Sequence, residues 1–281
     1  MIIDFHTHVF SPAIKQNRNM YCSADSCFGL LYSQPKARLC DVKELIDSMD
    51  ECGIDRSVLQ NIGWVKHDYC IASNDYILEC LAKYPNRFTG FCSVQPNDTD
   101  NAIREIERCS RSGIKGIGEL RPDVQGFDLC DATIRTLFDV AISNNLVVSL
   151  HASEPVGHGY QGKGDTTPQV LYPFILMYPK LKVVLAHWGG GFPFYEMMPE
   201  VASALTNTYY DSAATPFLYK PQVFARVADI AGSKKIVFGS DWPLVSPQRI
   251  ISQLGEVELS VTDREHILYR NAENLLGLKQ V

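Results

Sequence analysis

The chain has 281 residues, of which 46% are hydrophobic and 21% are charged, and its formal net charge is −6. This composition is typical of a folded protein and excludes a chain that is disordered throughout. The mild negative charge and the absence of a basic block argue against a nucleic-acid partner. Because no apolar stretch reaches about 20 residues, we also expect no transmembrane helix and no membrane partner.

The N-terminal segment MIIDFHTHVF has neither the basic start nor the small-residue cleavage site of a signal peptide. We therefore expect a cytoplasmic protein. All nine cysteines lie between Cys22 and Cys130, mostly at apolar positions, as reduced and buried thiols do. Cys22, Cys27 and Cys40 lie closer together, but their spacing matches no standard metal or iron–sulfur pattern, so a structural role is favoured.

Eight short apolar runs predict β-strands. In chain order they occupy residues 2–6, 57–60, 88–94, 114–120, 146–151, 182–187, 208–211 and 235–240. Most of them are continuous apolar runs rather than strict alternations of apolar and polar residues. That pattern is typical of strands that are buried on both faces.

Amphipathic helical patterns separate these strands. Asp41 followed by Glu44 predicts a capping box at the start of one helix. Eight strands alternating with helices predict the α/β class and a (β/α)8 TIM barrel, formed as a single domain by residues 1–281. An open doubly wound sheet is the alternative, but the G-x-G-x-x-G of a dinucleotide-binding fold does not follow the first strand.

Two predicted loops are longer than most connections. Residues 9–40 follow the first strand, and the glycine-rich residues 152–166 follow the fifth. Both leave the carboxyl ends of strands, where barrel enzymes build their active sites. Long loops in compact domains are often functional, so we expect residues 152–166 to form a lid.

Ionisable side chains stand at the predicted carboxyl ends of four strands. His6 and His8 lie two residues apart on the first strand, so their side chains point the same way. His151, His187 and Asp241 end the fifth, sixth and eighth strands. Any one of them could be a core histidine or a helix cap, but five would converge on one mouth of the barrel. Histidine and carboxylate together suit Zn²⁺, and also Mn²⁺ or Fe²⁺.

The segments DFHTH, LHAS, LAHWGG and FGSDWP, in this order, resemble the amidohydrolase superfamily. More narrowly, they resemble its amidohydrolase-2 group, which includes aminocarboxymuconate-semialdehyde decarboxylase and several lactone hydrolases. The ending ILYRNAENLLGL is also similar, so the resemblance covers essentially the whole chain. It implies a divalent metal ion at the mouth of a (β/α)8 barrel. By motif, His6, His8, His151 and Asp241 would be its ligands, and His187 would be a catalytic residue or a further ligand.

The fourth strand, within GIKGIGELRP, departs from the superfamily pattern. Many members carry a carboxylated lysine there that bridges two metal ions, but Lys115 lies near the start of this strand, too far from the mouth. Glu119 lies at its end instead, where it could bind or bridge metal or pair with Arg121. We take Glu119 as a candidate ligand, with one ion per chain as the default and two left open.

These groups predict an enzyme. A divalent cation lowers the pKa of bound water to about 7, Asp241 would move the proton, and His187 would stabilise developing charge. We expect a hydrolase acting on a C–N or C–O bond of a small amide, lactone or ester. The alternative is a nonoxidative decarboxylase of an unsaturated or aromatic acid. A metal-binding barrel without turnover is a third interpretation, against which the pairing of Asp241 with His187 argues.

Four residues are candidates for contact with a small-molecule substrate. Arg121 suits carboxylate recognition, and His158 lies on the predicted lid. Trp188 and Trp242 directly follow two candidate site residues and could wall the pocket. Alternatively, Arg121 could form a surface ion pair, His158 could lie on a solvated loop, and the two tryptophans could be ordinary packing residues. A homodimer is compatible with the sequence, but nothing in the pattern locates an interface.

Overall fold

Eight parallel strands pair in their chain order in the computed structural model, which describes residues 1–278. They are β1 (Ile3–His8), β2 (Arg56–Gln60), β3 (Phe88–Cys92), β4 (Gly116–Leu120), β5 (Val147–Leu150), β6 (Lys182–Leu185), β7 (Thr208–Asp211) and β8 (Ile236–Val237). The last strand returns to the first, since Phe5 N–H donates to Phe238 O at 2.7 Å and Thr7 forms a bridge with Trp242. The predicted (β/α)8 barrel is confirmed; residues 279–281 of the predicted domain lie outside the described part.

Helices surround the barrel. The longer ones are Val42–Cys52, His67–Lys83, Thr99–Arg111, Arg135–Ser143, Pro168–Met177, Val223–Ile230 and Pro247–Gly255. Shorter helices are Pro122–Gln125, Pro199–Ala204, Thr215–Leu218, Val261–Glu265 and Asn271–Leu276, with 3-10 turns at Ala132–Ile134, Phe192–Met197 and Ser233–Lys235 and a π-helical turn at His266–Arg270. Within residues 1–278, none of the helices has the length and apolar character needed to span a membrane.

The helix Val42–Cys52 begins with the predicted capping box. The Asp41 side chain accepts hydrogen bonds from the N–H groups of Lys43 and Glu44, and Glu44 Oε2 accepts from Asp41 N–H at 2.8 Å. These contacts satisfy backbone donors that would otherwise have no partner at the start of the helix. The helix packs against the barrel through the buried side chains of Leu45 and Met49.

One end of the barrel is filled by an apolar cluster, which we call the floor. It consists of strand residues and residues of the last helix: Ile3, Phe5, Val58, Phe91, Val147, Val184, Val237, Ala272, Leu275 and Leu276. Phe5 and Phe91 meet edge to face, with ring centroids 5.7 Å apart. On β5 the floor residue Val147 precedes His151 by four residues, so the floor lies nearer the amino ends of the strands than the histidines do.

The segment 9–40 is not the irregular loop predicted from the sequence. It contains three short helices, Pro12–Gln16, Arg18–Ala24 and Ser26–Tyr32. Asp25 Oδ1 caps the third helix by accepting from two backbone N–H groups, while Oδ2 accepts from Val65 N–H at 2.9 Å. Phe28 stacks on Trp64 with a centroid distance of 5.1 Å. Helices this short depend on such tertiary contacts, so a periodicity search does not find them.

The early cysteines lie among the apolar contacts of the barrel and of the segment 9–40. Cys27 is fully buried, and burial raises the pKa of its thiol to about 12. Cys40 is also buried, and all nine cysteines are free thiols. Within residues 1–278, no cluster with metal-ligand spacing includes a cysteine.

Candidate active site

Six ionisable side chains gather at the carboxyl ends of the strands: His6, His8, Glu119, His151, His187 and Asp241. Nε2 of His6 and Nε2 of His8 lie 3.0 Å apart. They lie 3.8 and 3.9 Å from Glu119 Oε2, and 3.8 and 3.4 Å from Asp241 Oδ1. Two donor atoms that each lie about 2.1 Å from one ion are themselves about 3–4 Å apart, which is close to the distances between these side chains. The donor set therefore fits a divalent cation.

The hydrogen bonds of the two histidines support this fit. Nδ1 of His6 lies 2.7 Å from Asp211 Oδ2, and Nδ1 of His8 lies 3.1 Å from Gln60 O. Both partners are acceptors, so each Nδ1 carries the hydrogen. The Nε2 atoms of neutral rings then direct lone pairs at each other across 3.0 Å. A proton or a metal ion must lie between them.

Glu119 connects this pair to the other two histidines. Its Oε1 lies 2.8 Å from His151 Nδ1 and 3.4 Å from His187 Nε2. The three side chains are buried and form a second group with metal-ligand spacing. The structure thus brings together all six predicted residues, but it divides them into two groups that share Glu119. His151 lies near Oε1 of Glu119, whereas His6 and His8 lie near Oε2.

The pKa shifts of Glu119, Asp241 and His151 agree with a metal-binding role. Burial raises the pKa of Glu119, but the nearby His151, His187 and His6 outweigh it, and the net pKa lies well below its usual value. For Asp241, burial is likewise outweighed, here by a hydrogen bond with His8 and by the charges of the histidines. Burial and the charge of Arg121 lower the pKa of His151. Ionised carboxylates and a neutral imidazole are the forms that bind metal.

Asp211, at the end of β7, was missed by the sequence analysis. Its Oδ2 accepts from His6 Nδ1, and its Oδ1 accepts from the N–H groups of His187 and Ala213 at 2.8 and 3.0 Å. One buried carboxylate thus orients a side chain of one group and the backbone of the other. Burial lowers the pKa of His6, but Asp211 outweighs it and raises that pKa to about 10. The sequence feature that could have identified Asp211 is its position as a carboxylate at the end of the seventh strand.

The backbone at His187 and Asp241 is left-handed. From His187 to Gly191 every φ is positive, between 56° and 88°, and Asp241 has φ 68°. Such conformations cost non-glycine residues about 1–2 kcal/mol and cluster at functional sites. A side chain at Gly190 would place Cβ 2.2 Å from Ser153 O, so glycine is required for this close approach. The turn directs His187 toward the mouth.

A cavity of about 590 Å³ opens over the two groups. Its walls are mostly apolar and include Tyr32, Ile62, Phe217, Leu218 and Leu244. The predicted lid, residues 152–166, contains no helix or strand and contributes His158, Tyr160, Gln161 and Gly162 to the lining. Tyr32, on the third short helix of the segment 9–40, was not predicted as a pocket residue.

Arg121 contacts the predicted lid and lines the cavity. It is only 1% exposed, so the surface ion pair considered from the sequence is excluded. Its Nη2 donates to Gly162 O at 2.7 Å and to Asp123 Oδ2 at 3.2 Å. Its Nε is buried without a hydrogen-bond partner within the described residues, and the side chain lines the cavity. An unpaired buried guanidinium donor beside a cavity suits a ligand oxygen.

Trp188 and Trp242 do not wall the pocket as predicted. The Trp188 ring packs against Phe224, and its Nε1 donates to Thr215 Oγ1 at 2.8 Å. Trp242 is 2% exposed, and its main-chain O accepts from His8 N–H. Neither is among the lining residues. Each immediately follows a residue whose side chain faces the mouth, and its own side chain is directed into the packing beside the barrel.

The chain matches the family model "Amidohydrolase" over residues 3–278. It is 24% identical to the 2-amino-3-carboxymuconate-6-semialdehyde decarboxylase of Dictyostelium discoideum, over 98% of this chain and 91% of that protein. It is 24% identical to the gamma-resorcylate decarboxylase of a Polaromonas species, over 87% and 90%. The structure of the 5-carboxyvanillate decarboxylase of Novosphingobium aromaticivorans, complexed with manganese, superposes with a TM-score of 0.83 at 18% identity, over 99% and 96%; this likeness shows a common fold.

These relatives correct one prediction. The expected hydrolase is wrong, since the curated relatives that match nearly the whole chain are decarboxylases. The motifs could not separate the two reactions because both use histidines and an aspartate to bind an ion and move a proton. The coarser predictions, an enzyme and a divalent-metal site, are confirmed, whereas zinc and the roles of individual residues stay predictions. The chain belongs to the amidohydrolase family.

Proposed function

We propose that this protein is a metal-dependent, nonoxidative decarboxylase of an unsaturated or aromatic carboxylic acid. The observation that carries the proposal is that the histidine–carboxylate groups open into a mostly apolar cavity of about 590 Å³. This volume lies within the range of small-molecule sites. The decarboxylases that match nearly the full length of the chain support the same reaction class.

His6, His8, Asp241 and Glu119 are the residues that would hold a divalent ion. When bound, such an ion supplies Lewis-acid polarisation of a substrate oxygen. Imidazole and carboxylate ligands accept Mn²⁺, Fe²⁺ and Zn²⁺. Mn²⁺ is the first ion to test, because the structurally similar 5-carboxyvanillate decarboxylase is complexed with manganese.

Arg121 would bind a substrate oxygen that remains on the product. A carboxylate that leaves as carbon dioxide loses its charge during the reaction. A cation bound to that carboxylate would therefore stabilise the starting state more than the transition state. A phenolate oxygen or a second carboxylate keeps its charge throughout. The buried and unpaired Nε of Arg121 offers a donor for such a group. The apolar walls, which include Tyr32, Ile62 and Leu244, would pack against a planar carbon skeleton.

The reaction replaces one bond to carbon by another. The bond to the departing carboxylate breaks, its electron pair stays on the carbon, and a proton completes the new C–H bond. Asp241 would carry this proton from water to the carbon, since its side chain lines the cavity and is 14% exposed against 7% for Glu119. His187, which also faces the cavity, would stabilise the negative charge that develops on the substrate oxygen.

A panel of acids tests the proposal. The purified chain is stripped with a chelator, reloaded with Mn²⁺ and given 2,6-dihydroxybenzoate, 5-carboxyvanillate and aminocarboxymuconate semialdehyde, with an ester, a lactone and an amide alongside. We expect carbon dioxide from at least one acid, loss of that activity after stripping, and its return with Mn²⁺. Hydrolysis of a carbonyl compound without carbon dioxide from any acid would overturn the proposal.

Asp241→Asn gives the sharper arm of this test. The amide keeps the shape of the side chain but cannot take up and return a proton at neutral pH. We expect turnover to be abolished while the circular dichroism spectrum is unchanged. Asp229→Asn is the matched control, because Asp229 is an exposed carboxylate on an outer helix, and it should keep full activity.

A further inference from the structure

We propose that Asp4 and Ser240 are positioning residues that hold the Asp241 carboxylate in place beside His6. The proposal rests on the function proposed above, because Asp241 is the residue that would carry the proton. Neither Asp4 nor Ser240 lines the cavity or belongs to a metal-ligand group. They therefore act on the reaction through Asp241 and not by touching the substrate.

Asp4 is a carboxylate on β1 that is fully withdrawn from solvent, with an exposed fraction of 0%. Its Oδ1 accepts from the N–H groups of His6 at 3.2 Å and of Ser240 at 2.9 Å. Its Oδ2 accepts from the hydroxyl of Ser240. These donors are two amides and a hydroxyl, so none of them carries a charge that offsets the cost of burying a carboxylate. That cost points to a role other than stability.

The hydroxyl of Ser240 holds the backbone on both sides of Asp241. Ser240 precedes Asp241 in the chain and donates to Asp4 Oδ2. Its Oγ also accepts from the N–H of Trp242, the residue that follows Asp241, at 3.1 Å. A further hydrogen bond joins Asp241 itself to β1, since its N–H donates to His6 O at 2.9 Å. The position of Asp241 is thus set by contacts with the strand that carries His6.

The local chain does not fix Asp241 by itself. β8 ends at Val237, so the residues 238–240 that lead to Asp241 lie outside the strand. Asp241 has φ 68°, a left-handed conformation that is unfavourable for residues other than glycine and persists only where surrounding contacts impose it. A side chain at Gly239 would place Cβ 3.0 Å from His6 Cβ. The segment therefore lies close against β1, where Asp4 can hold it.

A purely structural role is the alternative that the experiment must exclude. Ser93 provides the matched control, because it is also 0% exposed and follows β3 directly. Its Oγ lies 3.0 Å from Ile62 O, to which it donates, and 3.6 Å from Cys70 Sγ. Neither partner flanks Asp241. Ser93→Ala thus removes a buried and hydrogen-bonded hydroxyl without touching the residues around the proton carrier.

Ser240→Val and Ser240→Thr isolate the hydroxyl, since the two new side chains have nearly the same shape and only threonine keeps an O–H group. The Kd for Mn²⁺ is measured by competition with a fluorescent chelator, and kcat and KM are measured at saturating Mn²⁺ with an acid of the panel. We expect Ser240→Val to raise Kd and to lower kcat by about 10–100-fold, with KM nearly unchanged because the cavity walls are intact. Ser240→Thr should recover most of both, and Ser93→Ala should match the parent in Kd and kcat.

Asp4→Asn is the second arm, which decides the proposal if Ser240→Val fails to fold. Asparagine keeps the size and one acceptor of the carboxylate, but its Nδ2 cannot accept from the Ser240 hydroxyl. Because the two residues act through one contact, Asp4→Asn combined with Ser240→Ala should raise Kd no more than the more damaging single change. Fold-changes that multiply in the double variant, or equal values for Ser240→Thr and Ser240→Val, would overturn the proposal.

The two proposals fail in different ways. If Ser240→Val and Ser240→Thr differ in their Kd for Mn²⁺ as expected but no acid releases carbon dioxide, the proposed function is contradicted and the positioning of Asp241 stands. If an acid is decarboxylated and Ser240→Val equals the parent in both Kd and kcat, the positioning is contradicted and the decarboxylase stands.

Discussion

The floor and the mouth of the barrel are both buried, but by opposite means. On β5, Val147 belongs to the apolar floor, and four residues later His151 belongs to the polar mouth. Both are largely withdrawn from solvent, at 0% and 6% exposure. The floor gains about 1.5–3 kcal/mol for each large apolar side chain that it buries. The mouth instead buries ionisable groups, which is costly unless they are paired or bind an ion.

This difference predicts two separable kinds of variant. Substitutions in the floor should lower the free energy of unfolding and leave the metal site intact in the molecules that stay folded. Substitutions in the mouth should change metal content and turnover with smaller effects on the stability of the metal-free protein, because the cost of burying these polar groups offsets much of what their contacts contribute. Each of the following changes tests one side of that separation.

His8→Ala should have the largest effect. It removes one of the two facing Nε2 atoms beside Glu119 and Asp241. Losing one ligand of such a set lowers both the affinity for the ion and the activity that depends on it. We expect metal content and turnover to fall to background while the unfolding midpoint of the metal-free protein in urea changes little. His67→Ala, at a helix start outside both metal-ligand groups, is the control that should retain both. Full metal content in His8→Ala would contradict the assigned ligand set.

Phe91→Ala tests the floor. The ring is fully buried, meets Phe5 edge to face and contacts Gly116 closely. Its removal leaves a cavity, so we expect a loss of about 3–5 kcal/mol in the free energy of unfolding, measured by urea titration. Ions per folded chain should be unchanged. Loss of metal without loss of stability would erase the distinction between the two ends.

Asp211→Asn should have an intermediate effect that falls on the mouth. The carboxylate orients His6 through Oδ2 and the His187 backbone through Oδ1. Changes of this kind next to a ligand histidine typically cost about 10–100-fold in metal affinity or activity. We expect the Kd for Mn²⁺, measured by titration with a fluorescent competitor, to rise within that range. An unchanged Kd would mean that Asp211 has no part in positioning the ligands.

Trp188→Phe should have the smallest effect and should resemble a floor variant despite its neighbour His187. It removes the hydrogen bond from Nε1 to Thr215 Oγ1 but keeps an aromatic ring against Phe224. We expect a loss of about 1 kcal/mol in stability and no change in KM. A large rise in KM without loss of stability would show that Trp188 does contact the substrate.

Much of the fold follows from local patterns. Most of the eight strands are short apolar runs, and His151, His187 and Asp241 follow such runs, so their meeting at one mouth could be predicted from the topology alone. Asp211 ends β7 in the same way, so the same reasoning could have placed it at the mouth. Asp41 and Glu44 fixed one helix start through short-range contacts.

The remainder depends on interactions between distant segments. The short helix Ser26–Tyr32 exists because Asp25 caps it and Phe28 stacks on Trp64, which lies far along the chain. The side-chain directions of Trp188 and His187 depend on left-handed backbone angles that no periodicity reveals. The division of the histidines between the two oxygens of Glu119 depends on how β4 is placed against its neighbours. Hydrolysis and decarboxylation share one set of groups, so only the relatives separated them.

A labelling experiment that follows the carboxyl carbon and the replacing proton together decides whether the site decarboxylates. The Mn²⁺-loaded protein is given the acid panel, carboxyl-labelled with heavy carbon, in heavy water, and the products are analysed by mass spectrometry. We predict labelled carbon dioxide in equal amount to a product that carries one deuteron on the carbon that lost the carboxylate, with both absent from Asp241→Asn. Cleavage of an ester, lactone or amide with all of the label retained in the acids would show that the protein is a hydrolase and not a decarboxylase.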